Sequence, residues 1–328
     1  MKELFARVSF GSSIYAIRHD QKILIDDMNY LNEIPKDRDI YMHLHVPKTA
    51  GTSMWKILEA NFGGRLGADY ALGGHPGKYS QAQMAEVLYQ WDLDCFTAHN
   101  YSLPAIPFES LPNIHAFSFV RDPVAKAISS YFYLRNQSQL SPWHVCKKKK
   151  LTELLQENQG DIIGNLMLFD CSQVDFLMAG TANLNSVIEY SRNYNYHLLP
   201  TERFDDSLIC LEKLYPAHFR DCSYGERSNT SSRDQKVTSE DVKLIERLPW
   251  IGKDRNLHEF SIAYLDKLIE SCFVSEDKFT AARIDFRRRC DEKSSARVNA
   301  RRQAAGKPSA MPMMRRLKSA ARIILKGN

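Results

Sequence analysis

The sequence predicts an α/β fold on a parallel sheet, and three observations carry that expectation. From residue 39 onward, short β-rich runs alternate with stretches whose apolar residues recur at helical spacing. The first of these runs feeds a loop of small and hydroxyl residues that opens straight into a helix. The composition is that of a chain with one large core: 328 residues, 44% hydrophobic and 25% charged, with 15 Gly and 13 Pro. Fibrous, low-complexity and largely disordered classes are thereby excluded.

Residues 1–36 contain VSFGSSIYAIRHDQKILIDD, two β-rich runs around a polar turn, which predicts an N-terminal β-hairpin extension. The main domain is expected over 37–275. In it DIYMHLHV (39–46) is a strand and TSMWKILEAN (52–61) a helix, followed by the Gly-rich stretch FGGRLGADYALGGHPGK. A helix at about 80–90, a strand over 94–101 and a buried strand over 114–120 come next. RDPVAKAISSYFYLR (121–135) reads as a helix that Asp122 can cap and whose first position suits Pro123. A helix at 183–193, a strand at 196–204 and helices at 205–215, 239–247 and 256–272 complete the domain.

From about 276 the chain becomes rich in Arg, Ala and Ser, and reads as a basic tail, flexible or partly helical. The net charge of +5 hides this asymmetry: residues 281–328 carry 14 Lys/Arg against 3 Asp/Glu, and the rest 30 against 36. No run approaches the ~18 apolar residues of a membrane-spanning helix, and MKELFARVSFGSS lacks the apolar core and cleavage site of a secretory signal. The expected location is cytoplasmic, with the tail available to an anionic membrane surface. Seven widely spaced cysteines without a CxxC pair predict reduced thiols, not a disulfide framework or a thiolate zinc site.

The segment His45-Val46-Pro47-Lys48-Thr49-Ala50-Gly51-Thr52-Ser53 lies between a strand and a helix, where backbone N–H groups and the helix dipole favour an anion. It is no Walker A loop, because Lys48 stands four residues ahead of Thr52 instead of directly before the hydroxyl. Phe119-Val120-Arg121-Asp122-Pro123 repeats the arrangement further along, with Arg121 at a strand end and Ser129 two helical turns on. Two such sites suit a ligand with two separated phosphates. His43 and His45 are two apart on one strand and so share a face, but no third residue has the spacing of a metal ligand, and no metal is expected. The run Lys147–Lys150 reads as a solvated helix start or as one wall of a groove for an acidic glycan.

HLHVPKTAGTS followed by SFVRDPVAKAISSYFYLR resembles the two nucleotide-binding signatures of sulfotransferases that use 3′-phosphoadenosine 5′-phosphosulfate, with the flavour of the heparan and dermatan 2-O-sulfotransferases. The resemblance covers roughly residues 39–272 and implies a P-loop-like sheet flanked by helices. It implies that Lys48, Thr49, Ala50, Gly51, Thr52 and Ser53 hold the 5′-phosphosulfate, that Arg121 and Ser129 hold the 3′-phosphate, and that Arg227 and Ser228 in SYGERSNTSSRD add contacts to the nucleotide. Lys126 replaces an arginine of the pattern at a peripheral position, and Thr97 stands where the 2-O enzymes have a first histidine, which leaves His99 as the base. Sulfuryl transfer to a hydroxyl needs such a base, and histidine supplies one near neutral pH.

The implied reaction is in-line transfer to a carbohydrate hydroxyl, on a polysaccharide or a lipid-linked sugar, with His99 and Lys48 catalytic. Two other readings are a nucleotide kinase or related nucleoside-triphosphate enzyme, against which the misplaced lysine stands, and a nucleic-acid-binding protein using the basic tail. The second leaves both anion loops without a purpose, and no specific nucleic-acid partner is expected.

Overall fold

Strands Ile40–Leu44 (β1), Leu66–Asp69 (β2), Cys95–Ala98 (β3), Ile114–Val120 (β4) and Tyr196–Pro200 (β5) pair into one all-parallel sheet ordered β2-β3-β1-β4-β5. The structure is a computed structural model, and it describes residues 34–35, 37–69, 79–99, 101–111, 113–136, 144–157, 172–180, 183–225 and 235–306, without the side chains of 301–306. The expected N-terminal hairpin and the chain beyond residue 306 lie outside the described residues.

The order of the strands decides where a ligand can enter. Chain leaving β1 runs to the β2-β3 edge, whereas chain leaving β4 runs to β5, so the two loops part at the carboxyl ends of neighbouring strands β1 and β4. That divergence is the topological switch point of an open α/β sheet. The registers Tyr41↔His115 and Tyr41↔Cys95 fix the central strand against both neighbours.

Alternation along β1 separates two hydrophobic layers. Ile40, Met42 and Leu44 pack on one face with Phe96, Ala116, Val120 and Leu198, beneath helices Gln81–Gln90 (α2) and Leu184–Asn193 (α7). Tyr41 packs on the other face with Met54, Leu58, Phe117, Phe119 and Leu208, from helices Gly51–Phe62 (α1) and Phe204–Leu214 (α8). Ser80 opens α2 with a capping box to Gln83. Helix Pro123–Asn136 (α3) follows β4, and Asp122 caps it as its sequence predicts, accepting from Ala125 N–H at 2.7 Å. A third cluster joins α3 to the short helices Val145–Lys148 (α4) and Leu151–Glu157 (α5), to Ser239–Glu246 (α9) and to the start of Ile251–Cys272 (α10). Lys147 and Lys148 end one helix, at the terminus where basic side chains suit the helix dipole, and Lys149 and Lys150 lead into the start of the next, α5, so only the second half of the run is a helix start.

The basic segment departs most from its sequence reading. Residues Glu276–Gly306 form one helix (α11), and its first half belongs to the folded body. Phe279 and Phe286 are 2% and 1% exposed and join the cluster of α1 and α8. Arg283 donates to Asp206 at 2.6 and 2.7 Å, and Arg289 bridges Glu212 at 2.7 Å and Asp221 at 2.6 Å. The expected boundary at 275 thus falls inside a packed unit. The physical reason is charge segregation: the five acidic residues from 276 onward all lie at or before Glu292, where the phenylalanines also lie. Among the described residues no helix is long and apolar enough to cross a membrane.

Candidate active site

The loop after β1 is held in an unusual backbone. Lys48 (φ 69°) and Ala50 (φ 68°) are both left-handed, a conformation that costs a non-glycine residue about 1–3 kcal/mol and tends to occur where a ligand is clamped. Thr49 is buried and its hydroxyl donates to Val46 O at 2.7 Å, so its side chain closes the loop on itself. Helix α1 begins its own bonding with Ser53 and Met54 N–H donating to Ala50 O. The amides ahead of Ser53 are the helix-start donors that anions use. Gly51 is required by close approach: a Cβ there would fall inside the His45 ring. Thr52 is exposed and Ser53 is buried at 4% exposure.

Lys48 and Arg121 meet at the switch point. Arg121 Nη1 donates to Lys48 O at 3.2 Å. The Lys48 ammonium lies 3.9 Å from the centre of the Tyr133 ring. Burial lowers the Lys48 pKa to about 8, and the charge of Arg121 pushes in the same direction. Tyr133 is four residues after Ser129 on α3, so Ser129 shares the face that Lys48 lies against. Lys48 through Ser53, Arg121 and Ser129 are therefore brought to one end of the sheet. Arg227 and Ser228 lie outside the described residues.

His99 follows β3 on the other side of β1. Its Nδ1 is 2.6 Å from His45 O. A carbonyl only accepts, so Nδ1 carries the proton and Nε2 the lone pair, the tautomer a general base needs. Burial lowers its pKa, partly opposed by the bond to His45 and by the Asp69 carboxylate. The ring is thus neutral at neutral pH. The His45 ring stands 4.1 Å from that of His99, and the His43 ring stacks on His45 at 5.4 Å, on one face as the spacing predicts. His43 Nδ1 pairs with the Thr97 hydroxyl at 2.8 Å, and burial lowers its pKa to about 3. Thr97 thus supports the histidine wall. Among the described residues no group of three or more His, Cys, Asp or Glu is placed to hold a metal ion.

No family model matches the chain, and no curated protein matches it. Among solved structures it is similar to a sulfotransferase from Alicyclobacillus acidocaldarius, with a TM-score of 0.37 and 13% identity over 69% of this chain and 96% of that one. It is also similar to mouse sulfotransferase SULT7A1 complexed with PAP, with a TM-score of 0.35 and 13% identity over 75% of this chain and 87% of that one. Likeness at this level assigns no family, and the chemistry of the site rests on its own residues.

Two residues at the site, Asp69 and Gln173, carry no sequence signal. Asp69, 6% exposed at the end of β2, accepts from Tyr79 OH at 2.7 Å, and its backbone carbonyl accepts from His99 N–H at 3.3 Å. Its segment, LGAD, sits in a Gly-rich stretch that hides the strand. Gln173 bonds the backbone of Arg121 from 52 residues away. Lys126, read as peripheral, is 1% exposed, with its ammonium 5.5 Å from the Trp250 ring. Lys150 borders a cavity of about 220 Å³ with Phe132, Thr152 and Lys236, beside α3.

Proposed function

We propose that the protein is a sulfotransferase that moves a sulfuryl group from 3′-phosphoadenosine 5′-phosphosulfate to a carbohydrate hydroxyl. The observation that carries this reading is the meeting of Lys48 and Arg121 at the ends of adjacent parallel strands. Two cations from two loops, each beside a helix start, suit a ligand with phosphates at two positions of one ribose. The donor fits the residues present: the strained loop with the first amides of α1 suits the 5′-phosphosulfate, and Arg121 with Ser129 suits the 3′-phosphate.

His99 takes the proton of the acceptor hydroxyl on Nε2, while Nδ1–H stays on His45 O and holds the ring in place. Lys48 offsets the charge that develops on the leaving phosphate oxygen, as preorganised donors do in phosphoryl transfer. In this reading the loop after β1 presents the lysine and the end of β3 presents the base. The acceptor class, the O-transfer and the role expected of residues 281–328 at an anionic membrane or beside a polyanionic acceptor, narrowed to 295–328 because the first half of α11 is packed, belong to the same proposal.

Transfer of radiolabelled sulfate from the donor to a panel of polysaccharides, lipid-linked sugars and small glycosides tests reaction and acceptor together. His99→Ala should lower turnover about 10²–10⁴-fold and leave nucleotide affinity nearly intact. Near-normal turnover would move the base to His45 or His43. Calorimetry should give tighter binding of adenosine 3′,5′-bisphosphate than of ATP, and the reverse order would return the kinase reading.

A further inference from the structure

A buried polar network stands behind Arg121 and leads away from the site. β4 pairs with β5 up to Val120↔Pro200, so Arg121 is the first residue beyond the ladder. Its two backbone groups are bonded all the same. Arg121 N–H donates to Gln173 Oε1 at 2.8 Å, and Gln173 Nε2 donates to Arg121 O at 2.8 Å. A primary amide presents a carbonyl oxygen and an N–H side by side in one plane, so Gln173 takes the place of a neighbouring strand's peptide group.

Gln173 is in turn held from behind. It opens helix Gln173–Leu177 (α6), and its backbone N–H donates to Asp254 Oδ2 at 2.8 Å. Ser172 Oγ donates to Asp254 Oδ1 at 2.6 Å, and Val174 N–H reaches the same oxygen at 3.3 Å. Gln173 and Asp254 are both 0% exposed, and Lys126 supplies the positive charge that faces the acid. A buried carboxylate and ammonium stabilise a fold little better than apolar residues of the same size. What such a fully bonded network supplies is a single geometry. Here the geometry runs from Asp254 through Gln173 to Arg121, and from Arg121 Nη1 to the carbonyl of Lys48.

We propose that Gln173, held by Asp254, is a positioning residue that fixes Arg121 against the Lys48 loop and so sets the spacing of the two anion-binding arms. The ligand class it selects is a nucleoside carrying phosphates on both the 3′ and 5′ oxygens. The inference rests on the sulfotransferase reading for the identity of that ligand, and it concerns residues that touch no ligand themselves.

The test measures adenosine 3′,5′-bisphosphate and adenosine 5′-phosphate by calorimetry on the full chain, with Gln173→Glu and Asp254→Asn, at pH 8 and pH 6. In Gln173→Glu at pH 8 a carboxylate oxygen faces Arg121 O in place of a donor. Bisphosphate affinity should fall about 10–100-fold, the range for one buried group set against the wrong partner, and 5′-phosphate affinity should stay within about 3-fold. Full burial and the facing Arg121 carbonyl both favour the protonated form of a carboxyl at this position and raise its pKa above the ordinary glutamate range, so at pH 6 more of it can donate and the loss relative to the native protein should shrink. A role in stability alone would lower both affinities together or neither, without recovery at pH 6, and either result overturns the proposal. Should Gln173→Glu fail to fold, Asp254→Asn carries the same comparison: a selective loss of bisphosphate binding supports the proposal, and an unselective loss or none overturns it. A native protein that binds the two nucleotides equally would instead sink the sulfotransferase reading, and this inference with it.

Discussion

Two regions of the molecule gather positive charge, and they use it in opposite ways. In α11, Arg283, Arg289 and Lys293 are matched to carboxylates: Asp206, Glu212 and Asp221 accept from them at 2.6–2.8 Å. At the ends of β1 and β4, the strongest charged neighbour of Lys48 is another cation, Arg121, and among the described residues no carboxylate makes an ion pair with Lys48. Cations that pair internally hold the fold. A half-buried lysine beside an arginine costs stability unless an anion arrives from outside, and the attraction of the Tyr133 ring face offsets only part of that cost. Positive charge therefore identifies a binding site only when the structure leaves it without an internal counter-charge.

The largest effect expected from this contrast is at Lys48. Lys48→Met should lower sulfate transfer about 10²–10³-fold, the scale for losing one preorganised donor at a developing charge, and leave the melting temperature unchanged or raised. A drop in stability would place Lys48 with the structural cations of α11 and break the distinction. The pH dependence follows with a definite sign. With a folded pKa of about 8, below that of an ordinary lysine, the unfolded chain binds more protons above pH 8. Stability of the ligand-free protein should rise with pH from about 8 toward the ordinary lysine range, and Lys48→Met should remove that rise. Nucleotide affinity should fall over the same interval, because the bound anion needs the charged form.

Arg121→Ala comes next. It should cost about 2–4 kcal/mol of bisphosphate affinity, as expected for one partner of a desolvated charge pair, and much less of 5′-phosphate affinity. Equal losses on the two nucleotides would merge the two arms into one site.

The sequence made the first arm legible because all of its determinants are local. Strand, loop, Gly51 and helix lie within residues 40–62, and Asp122 caps α3 from within the same motif as Arg121. Contacts over long range left no such trace. Gln173 reaches Arg121 across 52 residues, and Arg289 reaches Glu212 across 77. β2 leaves no trace in the sequence because four residues without a β-branched side chain give no alternation to read. The basic tail misled for a physical reason: charge summed over 281–328 averages a packed half, where acids and bases alternate, with residues 295–328, which carry nine Lys/Arg and no Asp/Glu. Phe279, Phe286 and Cys290 recur at helical spacing in the packed half and were the readable sign that it had a core-facing side.

The smallest expected effect tests the structural half of the contrast. Arg283 donates to Asp206 at 2.6 and 2.7 Å and lies 4.4 Å from the Phe279 ring, yet its side chain is 43% exposed. Solvent screens such a pair, so Arg283→Ala should cost only about 1 kcal/mol or less in a denaturant melt, with nucleotide affinity unchanged. Burial raises the Asp206 carboxyl, but the hydrogen bonds from Arg283 and Arg203 outweigh it and hold the group below its ordinary value. A carboxyl with a lowered folded pKa contributes stability above its unfolded pKa and loses it as pH falls through the folded one. The difference between the native protein and Arg283→Ala should therefore be full at neutral pH and fade below the ordinary carboxylate range. A difference that persisted unchanged into acid would mean that Arg283 acts through its packing on Phe279, with the ion pair contributing nothing measurable.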